Sequence, residues 1–168
     1  MFEFAYHIPS DYRQATVVIS GLASSRFNGW GYLIHKEQEE IITIYEMRFE
    51  YRCGPFKQVD IFDDILAVGC EEYFYVYDLK QRINLLSLKM EGYYGSTYID
   101  EGLLYVADAY GLFCLNIKGN MMWENKTLGI DGVIIHTFDG DKIYGSGEWD
   151  PPGAWITFVL NKKTGNSI

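Results

Sequence analysis

Three stretches of this chain are near-copies of one another: Ile65-Leu66-Ala67-Val68 to Tyr75-Val76-Tyr77-Asp78, Leu103-Leu104-Tyr105-Val106 to Phe113-Cys114-Leu115-Asn116, and Lys142-Ile143-Tyr144 to Phe158-Val159-Leu160-Asn161. Equivalent positions recur after 38 residues from Asp78 to Asn116 and after 45 from Asn116 to Asn161. Repetition at this period marks one supersecondary unit used several times. Such a unit cannot bury its apolar faces alone, so the copies stack, and function belongs on the loops that stacking aligns. Most enzyme folds are thereby excluded as a first expectation. A fourth, weaker copy stands at the front: Val17-Val18-Ile19-Ser20-Gly21 matches Leu66-Ala67-Val68-Gly69-Cys70, and Tyr32-Leu33-Ile34-His35-Lys36 matches Phe74-Tyr75-Val76-Tyr77-Asp78 at a shift of 42. The chain then reads as a single domain, 1–168, with units at roughly 9–50, 51–92, 93–130 and 131–168.

Composition narrows the partners. Apolar residues make up 48% of the chain, enough for a core, and the aromatic fraction of 17% suits half-buried strands, where large flat side chains pack on a pleated surface. No run of about 18 apolar residues occurs, and Phe2-Glu3-Phe4 is not a basic stretch leading into an apolar one, so the expectation is a cytoplasmic protein without a membrane association. With 23 acids against 14 Lys and Arg, a net charge of -9 argues against nucleic acid as a partner, because phosphate contacts need cations. A basic protein is the natural complement. Cys53, Cys70 and Cys114 form no C-x-x-C pair and read as free thiols.

Each unit reads as inner strand, turn, second strand, variable loop, third strand, turn and outer strand. In the third unit these are Thr97 to Ile99, the Asp100-Glu101-Gly102 turn, Leu103 to Ala107, the Asp108 to Gly111 loop, Leu112 to Ile117, the Lys118-Gly119-Asn120 turn and Met121 to Asn125. Gly and Asn tolerate positive φ, and Asp supplies acceptors for the turn's own backbone, so these residues are punctuation before they are sites. The string Gly102-Leu103-Leu104-Tyr105-Val106-Ala107-Asp108-Ala109-Tyr110-Gly111-Leu112-Phe113-Cys114-Leu115-Asn116, followed by Gly119 and Trp123, resembles the blade motif of pyrroloquinoline-quinone-type β-propellers, and Phe158 to Gly165 looks like the same third strand with its Thr-Gly turn. The resemblance implies an all-β fold, a small propeller-like array of about four antiparallel units, closed by an N-terminal strand or left open. No residue matches the quinone or metal sites of the enzymatic members, so no cofactor, metal or catalytic activity is carried over.

Shifting Trp123 by 45 residues lands on Ile168, so the fourth unit stops where its outer strand begins. Phe2-Glu3-Phe4-Ala5-Tyr6-His7-Ile8 alternates apolar and polar as a half-buried strand does. It is expected either to close the fourth unit or to serve as inner strand of the first.

The loops between second and third strands are short in units two and three and long in units one and four, at Leu22 to Gly29 and at Glu148 to Ala154. In a closed ring these two insertions would be neighbours. Connections between units fall on the same rim, where Glu71, Glu72, Glu91, Asp108, Asp131, Glu148 and Asp150 outnumber Arg26 and Arg52. His7, His35 and His136 occupy unrelated repeat positions, and Ser24 and Ser25 stand outside any nucleophile motif, so an enzyme is not expected. The expected site is a partner-binding one built from Glu71, Glu72, Tyr93, Tyr94, Asp108, Tyr110, Glu148, Trp149 and Asp150, with acids steering a basic protein and aromatics anchoring it. Among small acidic proteins this profile is similar to immunity proteins that block bacterial nuclease-type toxins, acting as a monomer or as a heterodimer with the toxin. A lectin-like carbohydrate-binding module and a propeller scaffold or assembly factor are the alternatives.

Overall fold

A computed structural model describes residues 1–21 and 27–168. Among the described residues fifteen strands form four sheets. The first holds β1 (Phe2–Ala5), β2 (Val17–Val18), β3 (Gly29–Glu37) and β4 (Glu40–Phe49) in the order β1-β3-β4-β2. The second runs in simple order through β5 (Lys57–Phe62), β6 (Ile65–Cys70), β7 (Tyr73–Asp78) and β8 (Ile83–Lys89). The third repeats it with β9 (Tyr94–Asp100), β10 (Leu103–Asp108), β11 (Leu112–Asn116) and β12 (Met121–Asn125), and the fourth has β13 (Val133–Asp139), β14 (Lys142–Glu148) and β15 (Trp155–Asn161). Among the described residues no helix is long and apolar enough to cross a membrane.

The repeat position that first betrayed the units is a turn device. Asp78 Oδ1 accepts from Gln81 N at 2.6 Å, Asn116 Oδ1 from Lys118 N at 2.9 Å, and Asn161 Oδ1 from Lys163 N at 2.9 Å. An Asx side chain at the end of each third strand thus satisfies backbone donors of the following turn. The strands before it are buried on both faces: β6, β7, β10 and β11 are interior almost throughout. Three apolar cores explain why, one between each pair of successive sheets. Leu33, Tyr45, Met47 and Phe49 of sheet one meet Leu66, Val68, Tyr75 and Tyr77 of sheet two. Phe74 and Val76 meet Tyr94, Leu104 and Val106 across the next junction. Tyr105, Leu112 and Trp123 meet Val133, Ile135, Ile143 and Leu160 across the last. Fully burying one such side chain contributes about 1.5–3 kcal/mol, so stacking is the main stabilising term. Close approach requires small residues at set points: a Cβ on Gly147 would stand 1.6 Å from Leu128 O.

The first sheet departs from expectation. Phe2 to Ala5 pair with His35 to Tyr32 of β3, so the N-terminal strand does not close the fourth sheet. Nor is it an inner strand. Tyr6 at its end reaches Glu71 in the β6–β7 loop, and the segment after β4 reaches Glu72 in the same loop, so β1 and β4 both run toward that rim, as second and outer strands do elsewhere. The rings of Tyr45 on β4 and Tyr77 on β7 lie 6.5 Å apart, as an outer strand faces the next unit's third strand. Thus β1, β3 and β4 fill the second, third and outer places, and the first sheet begins at Phe2 rather than near residue 9. Val17-Val18, expected as a second strand, instead pairs parallel with Tyr45 and Glu46 on the outer edge. Asn84 Nδ2 and Ser87 Oγ of β8 hold the segment after it by donating to Ile19 O and Ser20 O.

Sheet four receives the beginning of an outer strand from the chain end, where Ser167 bridges Leu160 and Ile168 N donates to Val159 O at 3.0 Å. Among the described residues no strand of the first sheet pairs with one of the fourth, and the array is open. The long insertions of units one and four are therefore not set side by side by ring closure, and Leu22 to Arg26 of the first lie outside the described residues.

Candidate binding face

The connections between units and the loops between second and third strands share one rim because they are hydrogen-bonded to each other. Tyr94 N donates to Glu71 O, Met90 N to Glu72 O, Gly132 N to Ala109 O, and Ile130 N to Glu148 O at 2.7 Å. Every connection is stitched to the loop it passes.

Those stitches consume several of the expected site residues. Glu71 and Glu72 are 1% and 3% exposed. Glu71 accepts from Tyr6 Oη at 2.5 Å and from Cys53 N at 2.8 Å and Gly54 N at 3.2 Å, while Glu72 accepts from Glu50 N at 2.5 Å and Tyr51 N at 3.1 Å. Both carboxylates are therefore structural: they satisfy the backbone of the connection from sheet one to sheet two. Asp108 is buried too, its Oδ1 accepting from Tyr110 N and Gly111 N, and burial pushes its carboxyl up while those amides pull it back. Tyr94 is fully buried, with its hydroxyl on Gln58 and Thr97. The expectation that Glu71, Glu72, Asp108 and Tyr94 touch a partner is corrected on this ground, since buried groups with engaged acceptors present nothing to a docking surface. The rim also carries cations not counted there: Lys89 pairs with Glu50, and Lys126 with Glu91.

What stays accessible is concentrated at the junction of units three and four. Tyr110 and Glu148 are half-buried, and Trp149 and Asp150 are exposed. Tyr93 precedes the inner strand of sheet three and donates its hydroxyl to Asp131 O at 2.5 Å, with Asp131 Oδ1 at 3.2 Å. Beside it lies a cavity of about 240 Å³ lined by Phe56, Tyr93, Asp131, Ile134, Glu148 and Trp155, with the backbone of Gly95 and Gly132 forming part of the wall. The Phe56 and Tyr93 rings are 5.9 Å apart, and Trp155 packs over Gly132, where a Cβ would come within 3.3 Å of the indole. Burial, then Asp131, Glu148 and Asp108, push the Tyr93 phenol up to about 12. Phe56 and Asp131 come from connections and Trp155 from a strand start, so only the folded array joins them. Tyr93, Glu148 and Trp149 were marked by their loop positions; Phe56, half exposed in a Gly-Pro-Phe connection, carried no such mark.

The remaining reactive groups are quiet. Cys53, Cys70 and Cys114 are free; burial, with Glu72 and Glu71, pushes the Cys53 thiol up to about 11, and burial alone drives Cys114 to about 11. Among the described residues no group of three or more His, Cys, Asp and Glu could hold a metal ion. His136 Nε2 lies 2.8 Å from Ser146 Oγ across β13 and β14.

Stacked antiparallel sheets with inner strands β5, β9 and β13 packed side by side define a β-propeller-like array. The solved structure of BamB from Moraxella catarrhalis resembles it with a TM-score of 0.52 and 16% identity, over 94% of this chain and 49% of that one. The AfRom2 CNH domain is matched at 0.30 and 9%, over 95% of this chain and 63% of that one. The likeness to BamB is one of fold, and the chain spans about half that protein's length. No family model matches the chain, and no curated protein does.

Proposed function

We propose that the chain is a non-enzymatic protein-binding module whose contact face is the loop rim of units three and four, and that it acts as an inhibitor of immunity type, covering the basic cleft of a nuclease-type toxin in the cytoplasm. The observation that carries this reading is the aromatic and acidic corner formed by Tyr93, Trp149, Trp155, Asp131, Glu148 and Asp150 on a rigid scaffold. Trp and Tyr bury large area at small entropy cost, and unpaired acids at the rim steer a basic partner into the encounter. The net charge of -9 acts in the same direction. A lectin-like reading has less support, because the equivalent loops in units two and three hold buried Glu71, Glu72 and Asp108 rather than repeated exposed rings.

Capture from the native cytoplasm identifies the partner, and association kinetics with the double variant Glu148→Lys, Asp150→Lys test the face. The expected result is roughly tenfold slower association at low salt, with the wild-type dependence on ionic strength abolished. Unchanged association would move the interface elsewhere, and selective retention on a glycan array would favour the carbohydrate reading.

A further inference from the structure

Cavities fix what they accept through the chemistry of their walls, and the one beside Tyr93 sets aromatic rings next to carboxylates. Three aromatic rings, Phe56 and Tyr93 from two connections and Trp155 from the start of a third strand, stand with two carboxylates, Asp131 and Glu148. Among the described residues no Lys, Arg or His lines it. Tyr93 has its hydroxyl engaged by Asp131 O, so it offers the cavity its ring face rather than a donor. Glu148 Oε1 accepts from Gly153 N at 2.6 Å, and among the described residues no donor reaches its Oε2. Phe56 and Trp155 are 49% and 43% exposed, which leaves the entrance open to solvent.

Two carboxylates and the Ser96 hydroxyl are a poor seat for a hard divalent ion, which demands six or more oxygens. Rings beside carboxylates suit a weakly hydrated organic cation instead: the ring quadrupole attracts it, the acids neutralise it, and the alkyl part is buried against apolar walls. We infer that this cavity binds one ammonium or guanidinium group on a short alkyl stem, the head of a lysine or arginine side chain contributed by the partner. The site rests on the protein-binding reading for its source of cation, while its chemistry stands on the cavity alone.

The test uses the intact chain and small probes. Tryptophan fluorescence and calorimetric titration with n-butylammonium chloride and n-propylguanidinium chloride are compared with n-pentanol, a neutral molecule of similar size, at matched ionic strength. Saturable millimolar binding of at least one cation is expected, with n-pentanol at least tenfold weaker; the better of the two cations tells lysine from arginine. Glu148→Gln, which keeps the shape, and Trp155→Leu are expected to weaken cation binding tenfold or more, while Trp30→Ala, on an exposed site of β3 in the first sheet and outside the cavity lining, leaves it unchanged. Equal uptake of n-pentanol, no uptake of either cation, or indifference to Glu148→Gln overturns the inference. The two readings fail separately. Cation uptake in a protein whose partner association ignores Glu148→Lys, Asp150→Lys sinks the contact face and keeps the cavity, whereas charge-sensitive association without probe uptake sinks the cavity and keeps the face.

Discussion

Glu71 shows how one side chain can join three parts of the molecule. It sits in the left-handed region at φ 51, in a two-residue turn, and its carboxylate gathers the Tyr6 hydroxyl and the Cys53 and Gly54 amides. A non-glycine residue held at positive φ is strained, and the donors hold it there. Glu71→Gln replaces charge-assisted bonds and turns an amide toward backbone donors, so it should cost about 2 kcal/mol in urea unfolding, with an unchanged slope. Glu148→Gln, at the open cavity, should stay within about 0.5 kcal/mol. Phenols give a second expectation. Tyr93 is pushed up from its ordinary 10.0 to about 12, and burial pushes Tyr94 and Tyr105 higher still. For an acid whose folded value lies above its unfolded one, the fold favours the neutral form; that contribution is complete below pH 10.0 and is lost as pH rises through the folded values. Thermal scans should therefore show a flat Tm at mildly alkaline pH and a steep fall between about pH 10 and 12.

Strands were largely legible, because the second and third strands of each repeat are continuous apolar runs closed by an Asx turn, and those runs became β6 with β7 and β10 with β11. The first sheet was not. Apolar content alone gives no strand direction, so Val17-Val18 looked like a second strand although it joins the outer edge in parallel. Glu71 and Glu72 looked like solvated loop acids, because the amides that bury them arrive from a different unit. Glycines divide in the same way at this scale. Gly147→Ala would drive a Cβ into Leu128 O and force apart the connection and β14, so it should destabilise the fold by more than about 3 kcal/mol or prevent soluble expression. Gly140, at φ 55 with nothing within 4 Å of a Cβ, should accept Asn for about 1 kcal/mol or less, measured in the same denaturation assay.

The molecule as a whole is a line of sheets, each stabilised by its neighbours, and such arrays lose order from their ends. Sheets two and three have cores on both faces, whereas the outward face of sheet four leaves Ile134, Trp155 and Thr157 at the surface. Hydrogen exchange should accordingly be slowest in β6, β7, β10 and β11 and fastest in β2 and β15; uniform protection across the four sheets would contradict a nearest-neighbour array. Sheet order was readable from the repeat, while the openness of the array was not, since closure depends on the angle between units and no local residue pattern encodes it. Stitching of connections to loops has one more effect. Trp149 N donates to Ala154 O at 3.0 Å and Ile130 N holds Glu148 O just before it, so the chain from Asp150 to Gly153 leaves and re-enters through a pinned neck. Lengthening that segment adds only loop-closure entropy, which grows slowly with length, and leaves strand register on either side untouched. It is a ready splice point, where foreign peptide could be displayed and new specificity grown without rebuilding the scaffold.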